Sequence, residues 1–118
     1  MTQNEHCTYR LNVPPRLGEP LRVVPVEGPD SLKDLLGGDF ESVARGDWHL
    51  YLNAEGTSAN LPVNLCADQL MHDCGLDLAG AARGPAVIVG RDAKGKDTSI
   101  PEHLLRLAAE LFGTPQAA

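Results

Sequence analysis

Phe40-Glu41-Ser42-Val43-Ala44-Arg45-Gly46-Asp47-Trp48-His49-Leu50-Tyr51-Leu52 is the stretch on which the fold turns. Successive side chains of a strand point to opposite faces, so Trp48, Leu50 and Leu52 share one face and His49 and Tyr51 the other. Phe40, Ser42 and Ala44 alternate with Glu41 and Val43 in the same way. Arg45-Gly46-Asp47 supplies the turn between the two runs. The pattern predicts a β-hairpin over 40–44 and 48–52. Arg45-Gly46-Asp47 is also the adhesion tripeptide, but three-residue strings recur by chance and the turn accounts for this one.

Working outward, the segment before this hairpin predicts a second one. A strand over 7–13 puts Tyr9, Leu11 and Val13 on one face, and Pro14, Pro15, Gly18 and Pro20 mark the connection to a strand over 21–26. Pro25 cannot donate to a ladder, which places it at a strand end or an edge. Between the hairpins, Asp30, Ser31 and Asp34 form the capping pattern of a short helix. Leu32, Leu35 and Leu36 are its apolar face, and Gly37-Gly38 stop it.

Past the central hairpin, 53–60 is a polar loop. Asn64 then caps a helix running to about Cys74, with Leu65, Leu70 and Met71 available for burial and Gly75 to end it. Ala86-Val87-Ile88-Val89-Gly90 suits a buried strand, and 91–97 reads as a charged turn around Gly95. A last helix opens on a Ser99–Glu102 capping box around Pro101. Ile100, Leu104, Leu107, Ala108 and Leu111 share one side, while Glu102, Arg106 and Glu110 follow at four-residue spacing on the other. Gly113 terminates it and 114–118 is expected to be a frayed tail.

The predicted class is α+β. A small mixed, mostly antiparallel sheet, two hairpins plus one buried strand, is packed by a C-terminal helix and one or two shorter helices. The 118 residues make a single domain, with the core expected over about 7–112 and both ends flexible. Hydrophobic residues at 42% and charged residues at 22% place the chain among globular proteins. With aromatics at 4%, the core must be built from Leu, Val, Ala and Ile.

A net charge of −6 without a Lys/Arg cluster argues against a nucleic-acid partner, whose phosphates are neutralised by cationic groups. The start Met1-Thr2-Gln3-Asn4-Glu5 lacks the basic-then-apolar pattern of a signal peptide. No apolar run approaches the ~20 residues of a membrane span. Three cysteines cannot all pair within one chain, so free thiols and a cytoplasmic location are expected.

In this order of elements the chain resembles the bacterial and phage domain-of-unknown-function family numbered 3846. The residues that carry the likeness are Leu-Lys-Asp-Leu-Leu-Gly-Gly-Asp-Phe-Glu over 32–41, Tyr-Leu-Asn-Ala-Glu-Gly over 51–56, Leu61-Pro62 with Asn64, and 87–90. The likeness covers roughly 7–111; the cysteine-bearing stretch 66–74 departs from it. The resemblance implies a small domain carried by phages, plasmids and other mobile elements, and it implies no particular reaction. It favours an accessory protein directed at a host over a metabolic enzyme.

Asn53, Glu55, Gly56 and Asn64 form the candidate ligand-binding group. They lie between a strand end and a helix start, where amides and short polar side chains meet a concave edge. The helix N-terminus after Asn64 would favour an anionic group. A turn plus a helix cap explains the same residues structurally.

Cys66, His72 and Cys74, with His6 and Cys7, match no zinc spacing. At ~100° per residue the two helical thiols lie ~80° apart, but His72 points ~240° from Cys66. No metal or other cofactor is therefore expected. His49, His72 and His103 fall in no catalytic motif, and no catalytic residue is assigned.

The expectation is a binding domain whose partner is a host protein or a small anionic molecule. The alternatives are a small hydrolase or transferase using Glu55, and a homo-oligomeric subunit joined through exposed edge strands.

Overall fold

The apolar run after Pro85 becomes the centre of the molecule. A computed structural model describes residues 8–16, 18–26, 29–55 and 59–117, without the side chains of 29–31. The described elements are, in chain order, β1 (Tyr9–Val13), β2 (Arg22–Pro25), α1 (Pro29–Leu36), β3 (Phe40–Arg45) and β4 (Trp48–Asn53). They continue with α2 (Leu65–Asp73), β5 (Ala86–Arg91), β6 (Asp97–Thr98), α3 (Glu102–Phe112) and β7 (Gln116–Ala117). The strands form one sheet in the order β3-β4-β5-β1-β2-β7, with β6 beside β5. Every pairing is antiparallel except β2 with β7. The class is α+β, with a mixed, mostly antiparallel sheet, as the sequence predicts.

The two hairpins flank β5. Leu50 of β4 and Leu11 of β1 both oppose Ile88. All of β5 except Arg91 is buried, because both of its faces are covered. On one face Leu11, Val13, Trp48, Leu50, Leu52 and Ile88 form the main core with Leu70 and Met71 of α2 and Leu104 and Ala108 of α3. On the other, Leu36 is buried on Val87 and Val89, with Leu32, Leu35, Phe40 and Tyr51 packed around it. A two-turn helix is marginal alone. Burying Leu36 contributes roughly 1.5–3 kcal/mol toward holding α1 there. The Gly37 and Gly38 N–H groups both close on the Lys33 carbonyl and end the helix.

Two glycines are required by the backbone. Gly46 has φ 52° at the first central position of the β3–β4 turn, as a type II′ hairpin needs. At Gly90 a Cβ would collide with the Ser99 carbonyl and the Thr98 hydroxyl, so only glycine lets that segment lie against β5.

The structure corrects three expectations. The last helix carries no capping box: Pro101 is its N-cap with no side-chain cap bond. The Ser99 hydroxyl instead accepts the Tyr9 N–H at 3.1 Å, pulled away because it stitches β1 to the β6–α3 link. The tail is not frayed throughout, since Gln116–Ala117 pairs with β2 and the Gln116 N–H reaches the Leu21 carbonyl at 2.8 Å. The charged turn after β5 is a short hairpin, with Asp97 opposite Arg91. Cys7 and the Ser31 cap lie outside the described residues and side chains. Among the described residues no helix is long and apolar enough to cross a membrane.

Candidate functional site

The period-two pattern of β4 sends Trp48, Leu50 and Leu52 into the main core and turns His49 and Tyr51 to the α1 side. On β1 the same parity buries Leu11 and Val13 in the main core and turns Arg10 the other way. Short α1 cannot cover this whole face. What it leaves is a cavity of about 390 Å³, floored by Val87 and Val89 and walled by Leu32, Phe40 and Tyr51, with Arg10 and Asp97 at its polar side. That size is within the range of small-ligand sites, which combine apolar walls with a few placed polar groups.

The polar side is built from three strands. The Asp97 carboxylate receives the Tyr51 hydroxyl at 2.6 Å on Oδ2 and lies 2.9 Å from His49 Nδ1 through Oδ1. A proton on Nδ1 satisfies the second contact. The His49 and Tyr51 rings stack, centroids 4.6 Å apart, and Phe40 meets Tyr51 edge-on at 5.4 Å. Burial, then the hydrogen bond to Asp97 and its negative charge, holds the Tyr51 phenol well above the usual tyrosine range. Tyr51 is thus a neutral donor. Arg10 is only 7% exposed and lines the cavity together with Val87 and Val89.

The family model described as Domain of unknown function (DUF3846) matches residues 10–113. The chain belongs to this family. No curated protein and no solved structure matches the chain. Arg10, His49, Tyr51 and Asp97 all fall inside the family match, and Thr8, which also lines the cavity, lies just before it.

Of the residues singled out from the sequence, Asn53 and Glu55 come together in this DUF3846 domain and Asn64 lies apart from them. Asn53 shares the α1 side with Tyr51; its amide donates to the Leu36 carbonyl at 2.7 Å, and its oxygen accepts the Glu55 N–H at 2.7 Å. Glu55 is exposed in the turn beyond β4 and does not line the cavity. Gly56 lies outside the described residues. Asn64 is fully buried and starts α2 on the opposite face of the sheet. Its Oδ1 accepts the Ala67 N–H at 2.9 Å, and its Nδ2 donates to the carbonyls of Val13 and Gly84, each at 2.9 Å.

Cys66 is buried in the main core and Cys74 caps α2; burial pushes both thiols up, with Asp73 and Asp47 adding to it at Cys74. His103 pairs with Asp47 at 2.9 Å on the surface.

The sequence reading missed Arg10 and Asp97. Arg10 carries a signal in retrospect: in the predicted first strand it opposes the Tyr9, Leu11 and Val13 face, so it must point to the second face of the sheet. Asp97 carries none, because its reach to β4 is set by the tertiary path past Gly90.

Proposed function

We propose that this chain is a binding module whose ligand enters the cavity between α1 and the sheet. The observation that carries the reading is the convergence of Arg10, Tyr51 and Asp97 on one apolar cavity of about 390 Å³. The occupant best matched is a small molecule, or a side chain of a partner protein, with a ring-sized apolar body, an acidic group for Arg10 and an N–H or O–H donor for Asp97. The apolar part meets Val87, Val89 and Phe40. The acidic group faces Arg10, whose five N–H donors can serve more than one acceptor. On this reading the chain works in the cytoplasm as an accessory protein, in keeping with the mobile-element setting that the family resemblance implies.

The test is chemical-shift mapping with a series of aryl carboxylates against the matching neutral amides. The carboxylates should move the amides of Val87, Val89 and Phe40, and the neutral series should bind about tenfold more weakly or worse. Leu32→Trp, which fills the cavity from α1, should abolish the shifts in a folded chain. Shifts scattered over other surfaces, or unchanged by that substitution, would sink the proposal.

A second reading has one observation in its favour. His49 held at 2.9 Å by Asp97 beside a cavity is an arrangement for moving a proton. Turnover of a cavity-bound substrate that disappears in His49→Gln with binding retained would select it over simple binding.

A further inference from the structure

Strand β3 ends the sheet, pairing only with β4 among the described residues. It runs six residues without a proline or a bulge in its pairing, two of the devices that blunt an edge, and its two charges, Glu41 and Arg45, are of opposite sign. Glu41, Ser42, Ala44 and Arg45 are exposed and Val43 is half-buried. The opposite edge differs: β7 offers two residues.

The direction of the free backbone groups follows from the hairpin. The Ala54 N–H bonds to the Asp39 carbonyl at 2.9 Å, and residues 39 and 54 continue the register that pairs Phe40 with Asn53. Hydrogen-bonded and non-hydrogen-bonded pairs alternate along an antiparallel ladder. Glu41, Val43 and Arg45 therefore spend their backbone groups on β4. Phe40, Ser42 and Ala44 point theirs away from the sheet.

We infer that β3 is a self-pairing edge, joining two copies of this chain antiparallel about a two-fold axis at Val43. In that register Ser42 opposes Ala44 of the second copy, and both have outward N–H and C=O groups to exchange. Val43 meets its own counterpart. Glu41 opposes Arg45 on both sides of the axis, two complementary pairs at the non-hydrogen-bonded positions where side chains come closest. A register centred on Ser42 satisfies the backbone equally but sets Glu41 against Val43. It also sets Arg45 against Asp39, which is already ion-paired with Lys33 at 3.2 Å. The charge pattern selects the Val43-centred register and a second copy as the occupant.

The experiment is sedimentation equilibrium of the full chain over a concentration series, with circular dichroism to confirm folding. The wild-type chain should reach twice the monomer mass. E41R and R45E each set like charges opposite one another, so each should raise the dimer Kd roughly tenfold or more. Mixing E41R with R45E restores both complementary pairs, and the mixture should dimerise at the wild-type concentration. Ser42→Pro, which removes an outward N–H, should leave a monomer. A wild-type chain that stays monomeric to its solubility limit overturns the inference. So does a dimer that E41R, R45E and Ser42→Pro leave unchanged.

Discussion

Replacing Asn64 with alanine should cost far more than a surface substitution, and the structure gives the size. Its oxygen caps α2 at the Ala67 N–H, and losing such a cap costs about 1 kcal/mol. Its amide hydrogens satisfy the carbonyls of Val13 and Gly84, and each buried acceptor left without a donor costs about 1–3 kcal/mol. The sum, about 3–7 kcal/mol, is a large share of the ~5–15 kcal/mol typical of a domain. With a urea m-value near ~2 kcal/mol/M, the unfolding midpoint should fall by about 1.5–3.5 M. Asn64→Asp keeps the cap acceptor but sets a carboxylate against two carbonyl oxygens, and should be at least as damaging. Glu55→Ala, in an exposed turn, is the control and should stay within ~0.5 kcal/mol of wild type. A midpoint for Asn64→Ala within ~0.5 M of wild type would refute the claim that this residue joins α2, β1 and the Gly84 segment.

Gly90→Ala should lower the thermal midpoint by about 5–10 °C, since the added methyl meets the Ser99 carbonyl and must displace backbone; unchanged melting would contradict that close approach. Tyr51 ties stability to pH. Its folded-state pKa is raised, so its contribution is complete below the ordinary tyrosine range near ~10 and is lost as pH rises above it. The wild-type chain should therefore lose stability above that pH more steeply than Tyr51→Phe. Parallel alkaline profiles of urea midpoints for the two chains would show that Tyr51 is not held neutral in the fold.

The fold was legible where local pattern and burial agree. Alternation in β4 predicted its two faces because one of them is the main core. The apolar run of β5 announced a strand covered on both sides. Capping chemistry was only half legible: Asn64 caps α2 as its position predicts, whereas Ser99 faces a competing donor, the Tyr9 N–H, supplied by a strand ninety residues away. The site was less legible still. Asn53, Glu55 and Asn64 are close in sequence, and polarity alone made them look like a group. The sheet separates Asn64 from the other two, because Asn53 and Asn64 belong to opposite faces. Arg10, Tyr51 and Asp97 are far apart in sequence and meet only through the pairing of β1, β4 and β6 around β5.

What separates a binding group from a structural one here is unused capacity held in a fixed place. Asn64 is fixed and enclosed: both amide hydrogens and its oxygen bond to backbone, and complete burial closes it to a ligand. Asp97 is fixed differently. Tyr51 and His49 each take one direction on its carboxylate, which has about four lone-pair sites, so acceptor capacity remains while its position is set by two strands. A ligand meeting it gains a hydrogen bond without ordering the side chain first, and ordering is a large part of what weak sites lose. The same sheet thus assigns its two faces different work. One face is apolar and buried, and fixes the strands. The other keeps polar groups beside a cavity walled on one side by Leu32 of α1.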